Sequence, residues 1–378
     1  DCSFTTRAAS HPATRFATMD TLTHALSGAL LGRALTPSAA GSSTARPMLG
    51  PTVPAWHAVS LGLVAAAFPD SDFVLRFISE TAYLRGHRGI THSLLMLPLW
   101  SLLLGWLASR LFRRPDALRR YALVAGGAIA IHIAGDWITQ FGTMLLAPLS
   151  DARFGLGAIF IIDLVISGIL VAGLLASALW RRSRVPALAA LALLPVWVVV
   201  ASYGKQQAID AGADWAKAQG ITAVSIDAAT RPASPFNWTV FVFDGADYHI
   251  AHINPQRQAP LIATADDNFI RRYSAPYLPP HLAQWQRIPM HGEGADARIA
   301  REAWRQPQFA LFRWFALHPA LDRIDRAGTE TCVWYRDMRF VFPGRTTAPF
   351  RFGLCRDTDQ SPWRLFGLDD TGRPFAAH

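Results

Sequence analysis

The residues best suited to chemistry are histidines and aspartates in short clusters. Asp70 and Asp72 sit two apart in FPDSD, His87 and His92 five apart in GHRGITHS, and His132 and Asp136 four apart in HIAGD. His24 follows Asp20 by four residues in MDTLTHALSG. Imidazole plus carboxylate is the ligand set of zinc and related divalent metals. On a helix, His132 and Asp136 at i, i+4 point the same way and can share an ion. Each cluster also has a plainer reading. His132 and Asp136 alone form a buried hydrogen-bonded couple, Asp70 and Asp72 alone cap a short helix, and His87 and His92 alone are interfacial side chains. Together they read as one metal site, because ionisable groups are costly against hydrocarbon and mark function there.

Seven candidate ligands (His24, Asp70, Asp72, His87, His92, His132 and Asp136) exceed the needs of one tetrahedral ion. They suit two or three divalent ions, zinc first and manganese as the alternative, with a carboxylate bridging. A two-metal centre lowers the pKa of a bridging water so that it attacks phosphorus. The catalytic set is then Asp70, Arg88 and Asp136, with Arg88 clamping the phosphate. Arg85 is a further phosphate contact, Asp20 is a candidate for orienting a ligand from behind, and Asp163 is either a further ligand or a carboxylate orienting a histidine. Thr91 and Ser93 read as caps of a helix beginning there. The HxxH pair His249 and His252, and His291 beside Glu293, have no supporting ligands nearby and read as surface or core histidines.

Positioning these groups falls to apolar segments. Charged residues make up 17% of the 378 and mean hydropathy is +0.19, unevenly spread. Residues 89–112, 121–146, 155–180 and 185–203 are each long enough to cross a ~30 Å hydrocarbon core. The stretches 20–35 and 57–68 are shorter, and the latter should stop at Pro69. Counted from Tyr121, His132 lies roughly 16 Å and Asp136 roughly 22 Å into the 121–146 span. His92 should lie near the outer surface, so the clusters meet only if that helix tilts, ends early or lines a cavity.

The net charge of +9 invites a nucleic-acid partner, but the arginines argue otherwise. Arg110, Arg113, Arg114, Arg119 and Arg120 flank one pair of apolar segments, and Arg181, Arg182 and Arg184 flank the next. Both runs are cytoplasmic under the positive-inside rule, with Arg33 and Arg46. The lipid bilayer is then the partner, and the region after the last span lies outside, in a periplasm. Arg76, Arg85 and Arg88 fall on the outer side against that rule and are set aside as site residues.

The expected architecture is an α-helical polytopic membrane domain over 19–203, a metal-binding bundle, followed by a soluble α+β, mostly antiparallel domain over 204–378. Residues 1–18 are polar and read as a disordered or non-native extension, with Met19 as the natural start. KQQAIDAGADWAKAQG reads as a separate helix after the last span. Cys332 and Cys355 lie in strand-like runs flanking Pro343-Gly344, and a hairpin there would let them pair in an oxidising compartment.

These motifs resemble the YdjM-like inner-membrane metal-dependent hydrolases, some of them LexA-regulated. The matching stretches are MDTLTHALSG, FPDSD, YLRGHRGITHS and HIAGDWITQFGT, in that order, within roughly residues 19–165. The resemblance implies a helical enzyme distantly similar to zinc-dependent phospholipase C and nuclease folds. The family's His and Asp positions fall on His24, Asp70, Asp72, His87, His92, His132 and Asp136. Asp163 sits where many members carry an acidic residue, but lacks the proline that often follows it. The expected activity is metal-assisted hydrolysis of a phosphoester in a lipid or lipid-linked headgroup. Two other classes compete: an ion- or proton-coupled transporter, and a membrane sensor or scaffold with a structural metal.

Overall fold

The computed structural model describes residues 13–36, 51–345, 348–369 and 371–377, and side chains from Thr21 onward. Most of the extension expected over 1–18 lies outside that range, as do Arg46 and the side chain of Asp20. The first helix, α1, runs from Ala13 to Ala34. Two compact units follow, Thr21–Pro289 and Met290–His378. The first therefore holds both the helices and a first sheet.

Helix α1 packs through residues with little or no side chain. At Gly28 and Gly62 of α2 (Ala55–Ala67) an added β-carbon on either would overlap the other's carbonyl oxygen. Gly32 meets the Ala58 carbonyl in the same way. Small residues on a facing stripe let two helix backbones touch, the device of apolar bundles in lipid. Helix α5 (Leu118–Trp137) closes the group, with Ala58, Leu61, Ala65, Tyr121, Ala125 and Ala128 in one core. On its other side α1 meets α6 (Leu164–Leu179) and α7 (Val185–Ala218) through Leu30, Ala34, Leu170, Ala187 and Ala190.

The apolar stretches form shorter helices than their composition suggests. After α3 (Glu80–Gly86), the 89–112 stretch makes a 3-10 turn over Ile90–His92 and begins α4 only at Leu97, ending at Leu111. Helix α5 stops at Trp137 rather than running to 146, and the 155–180 stretch is helical only from Leu164. Among the described residues, two helices are long and apolar enough to cross a membrane, Pro115–Trp137 and Val185–Ala218, or up to four if each bent pair is one span. Helix α7 needs no break at Gly204, and its 34 residues absorb the separate helix expected there. Its polar end lies on the first sheet, where Gly212 faces Val240 and leaves no room for a β-carbon.

That sheet has the order β1-β2-β3-β4, all antiparallel: Ser225–Thr230, Trp238–Phe243, Asp247–Ile253 and Gln286–Pro289. The second unit carries an antiparallel sheet β5 to β9, over Pro319–Ala327, Glu330–Asp337, Arg351–Arg356, Arg364–Leu368 and Pro374–Ala376. Cys332 stands opposite Cys355 in the β6–β7 register, and the two form a disulfide.

Candidate metal centre

Four side chains from three segments converge: Asp70, His92, His132 and Asp136, each offering one ligand atom within 4.8 Å of the others. Asp70 comes from a 3-10 helix, Pro69–Phe77, that begins where Pro69 ends α2. Asp70 and Asp72 do not cap it with hydrogen bonds; its cap residue is Phe68, and the carboxylates turn inward. His92 comes from the 3-10 turn before α4, so Thr91 and Ser93 do not cap that helix either. His132 and Asp136 lie on the last turns of α5, which ends one residue past Asp136. Early termination is one of the three ways the clusters could meet, and α5 does end early.

The loop after α5 locks the arrangement. Its 141–147 segment returns beside 88–94, with Met144 N–H donating to the Arg88 carbonyl and Leu94 N–H to that of Leu145, both at 2.9 Å. Arg88 adopts φ +60, a left-handed conformation costing a non-glycine residue about 1–2 kcal/mol. The turn lets its N–H donate to Asp72 Oδ2 at 2.9 Å while its guanidinium reaches Asp136. Such strain concentrates at functional sites.

The histidines are oriented through Nδ1. His132 Nδ1 lies 2.5 Å from the Ala66 carbonyl, which only accepts, so Nδ1 carries the proton. His92 Nδ1 lies 3.0 Å from Thr91 Oγ1 and 3.4 Å from Asp72 Oδ2. For His132 this leaves the lone pair on Nε2, and the Nε2 atoms of both rings face the carboxylates. The Nε2 atoms are 3.0 Å apart; His92 Nε2 is 3.0 Å from Asp136 Oδ2 and 3.7 Å from Asp70 Oδ1, and His132 Nε2 is 3.4 and 3.6 Å from the same atoms. Ligands at zinc-type bond lengths on a tetrahedron stand about 3.3–3.6 Å apart. Four ligand atoms near that spacing, with three of the side chains at most 1% exposed, fit a divalent cation.

The remaining sequence candidates fall elsewhere. His24 borders the cluster, with Nε2 3.2 Å from Asp136 Oδ1 and its ring 3.8 Å from that of His132. It fits because Gly135 presents no β-carbon, which would stand 2.8 Å from His24 Cε1. Asp72 and His87 form a pair of their own at 2.8 Å, outside the four-donor group, with His87 between the rings of Tyr83 and Phe141. Arg88 is 2% exposed, held by Asp136 Oδ1 at 2.8 Å and donating to Thr139 Oγ1 at 2.8 Å. Asp163 is the cap of α6, accepting from Val165 and Ile166 N–H and from Trp197 Nε1; among the described residues it orients no histidine. Arg85 is exposed beside a cavity.

Several partners were not legible by type. Thr21 donates to Asp70 Oδ2 at 2.6 Å, Thr139 takes Arg88, and the Ala66 carbonyl sets the His132 tautomer. Thr21 and Thr139 do stand near motif residues, a faint signal; a backbone carbonyl leaves none. The isolated histidines of the sheets are satisfied locally: His249 by Asp244, His252 by Thr239 and His291 by the Tyr335 hydroxyl.

A family model described as YdjM inner membrane protein matches residues 19–208, just over half the chain. The chain belongs to the YdjM family. All the residues of the centre lie inside the matched region, whereas both sheets lie beyond it. A Bacillus subtilis (strain 168) relative named "Uncharacterized protein YfhP" is 30% identical over 181 residues, 48% of this chain. The chain spans about half, 52%, of the length of that relative. No solved structure matches.

Proposed function

We propose that this YdjM-family protein is a membrane-bound, metal-dependent hydrolase that cleaves a phosphoester, in a lipid or lipid-linked headgroup. The observation that carries this reading is the convergence of two carboxylates and two imidazole nitrogens on one point. Structural zinc sites are built mainly from thiolates; a His/Asp set without cysteine suits zinc or manganese bound with room for water. A divalent ion held there would supply Lewis acidity and a water of lowered pKa.

The chain's own residues take distinct parts. Asp70 is the most open of the four, its side chain 15% exposed, so solvent and substrate approach from its side. Asp136 directs Oδ2 to the cluster and gives Oδ1 to Arg88 and His24. Arg88 is thus a positioning residue for Asp136, and its buried guanidinium is spent there rather than on a phosphate. Asp72 and Thr91 hold His92 from behind. Membrane attachment is supported by the family and by the apolar helices. A periplasmic place for the second unit is supported by its disulfide, a bond of oxidising compartments.

Elemental analysis of the purified chain tests the reading. Zinc or manganese should be present at about one ion or more per chain, and metal-dependent phosphate release should be found in a screen of phospholipids and phosphodiesters. His132→Ala should lose both. Full metal occupancy in that variant, with a native-like elution profile, would dismantle the centre.

A further inference from the structure

Beside the centre lies a cavity of about 490 Å³, within the ordinary range of ligand sites. Its lining is mostly apolar, with Val74, Leu75, Ile90, Met144, Ala147 and Pro148 supplying the walls. Leu75 crosses over Gly86, where an added β-carbon would collide with its Cδ1. The inner wall includes Ser71, Asp72 and Thr91, neighbours in sequence of the ligands Asp70 and His92. Asp72 and Thr91 also contact the His92 ring. The cavity and the centre therefore share one wall.

Two observations indicate what fills it. Two of the lining residues, Val74 and Ile90, are about half exposed, and the residues next to the lining in the chain are apolar and exposed too: Phe77 is 83%, Ile78 75% and Leu149 83% accessible, with Phe73 about half so. Large apolar side chains exposed to water are an aggregation hazard; facing lipid they cost nothing. The charged residues lining the cavity are Asp72, Arg85 and Asp151. Asp72 is engaged by His87 and by the Arg88 N–H. Among the described residues Arg85 has no carboxylate at ion-pair distance, so its guanidinium is available to an anion.

We propose that this cavity receives the apolar chain of a membrane lipid whose headgroup is an anionic phosphate, entering sideways from the bilayer, with Arg85 as the residue that favours the phosphate. The proposal rests on the hydrolase reading for the fate of that phosphate, and on the cavity alone for the binding. It makes the substrate an amphiphile held by tail and headgroup together, and water-soluble phosphoesters poor ligands.

Photolabelling separates the two layers. The full chain is placed in phosphatidylcholine nanodiscs doped with phosphatidic acid carrying a diazirine near the end of one acyl chain, irradiated, and mapped by peptide mass spectrometry. Label should concentrate on Leu75, Ile90 and Met144, and phosphatidic acid should label at least five-fold better than diacylglycerol with the same tail. Leu75→Trp, and Val74→Trp at the exposed side should Leu75→Trp misfold, should lower groove labelling several-fold. Arg85→Gln should erase the headgroup preference while leaving diacylglycerol labelling unchanged. Label spread evenly over the apolar helices, or untouched by either tryptophan, would overturn the tail site. Equal labelling by both lipids in the native chain would overturn the role of Arg85. The same labelling is run on His132→Ala. Groove labelling with no metal-dependent phosphate release from any lipid would sink the hydrolase reading and leave the lipid site standing.

Discussion

Asp72→Asn distinguishes a ligand from a residue that aims one. Asp72 Oδ2 stands 3.4 Å from His92 Nδ1 and accepts from the Arg88 N–H at 2.9 Å, while Oδ1 meets His87 Nδ1 at 2.8 Å. Asparagine keeps the shape but removes the charge, and its NH₂ must face either the Arg88 N–H or an imidazole nitrogen. His92 then loses the partner that raises its basicity, yet its Nε2 still faces the other three donors. Loss of such an outer partner weakens metal binding about 10–100-fold, or roughly 1.4–2.7 kcal/mol. A chelator competition series, read as metal retained per chain, measures this directly. Asp72→Asn should lie between the native chain and His132→Ala, with its circular dichroism spectrum unchanged. A variant as empty as His132→Ala would make Asp72 a direct ligand and enlarge the centre beyond four donors. Native affinity would show that Asp72 does not orient His92.

Other expectations follow from the packing. Gly62→Val should lower thermal stability in detergent by about 1–3 kcal/mol or more, because the new β-carbon meets the Gly28 backbone, which cannot rotate aside; an unchanged melting curve would refute the close crossing of α1 and α2. Removing the Cys332–Cys355 bond with paired serines should destabilise the second unit by about 3 kcal/mol for a separation of 23 residues, measured by protease susceptibility of Met290–His378, while metal content stays constant. The His252 imidazole is pushed down to about 4, by burial first and by Arg231 second. Between pH 4 and about 6.5 the unfolded chain therefore binds the extra proton, so this contribution is complete above pH 6.5 and fades as pH falls towards 4, by at most about 3 kcal/mol. Denaturation at pH 7 and pH 5 should show that loss in the native chain and a smaller one in His252→Gln.

Residue type and spacing alone were enough to mark the candidate ligands. His92, His132, Asp70 and Asp136, which the fold brings together, were all among the seven histidines and aspartates singled out. Alternating β-branched and aromatic runs likewise announced antiparallel strands, and the two strand-like runs around Pro343-Gly344 placed Cys332 opposite Cys355. Apolar length was a poorer guide. It counts hydrocarbon but not backbone, so it ran α5 on to residue 146 when the helix ends at Trp137, and joined the Ile90–His92 turn to α4.

What sorted seven candidates into four donors and their supports was three-dimensional. His87 and His92 are alike in type and five apart, yet one faces the cluster and the other turns to Asp72 and the rings of Tyr83 and Phe141. Arg88 looked like a phosphate clamp, and a left-handed backbone turned it inward onto Asp136. Asp163 looked like a ligand and caps a helix instead. Composition records which side chains are able to bind an ion; direction belongs to backbone dihedrals and helix ends, and those are settled only when the distant segments 21–36, 66–93 and 132–147 pack together.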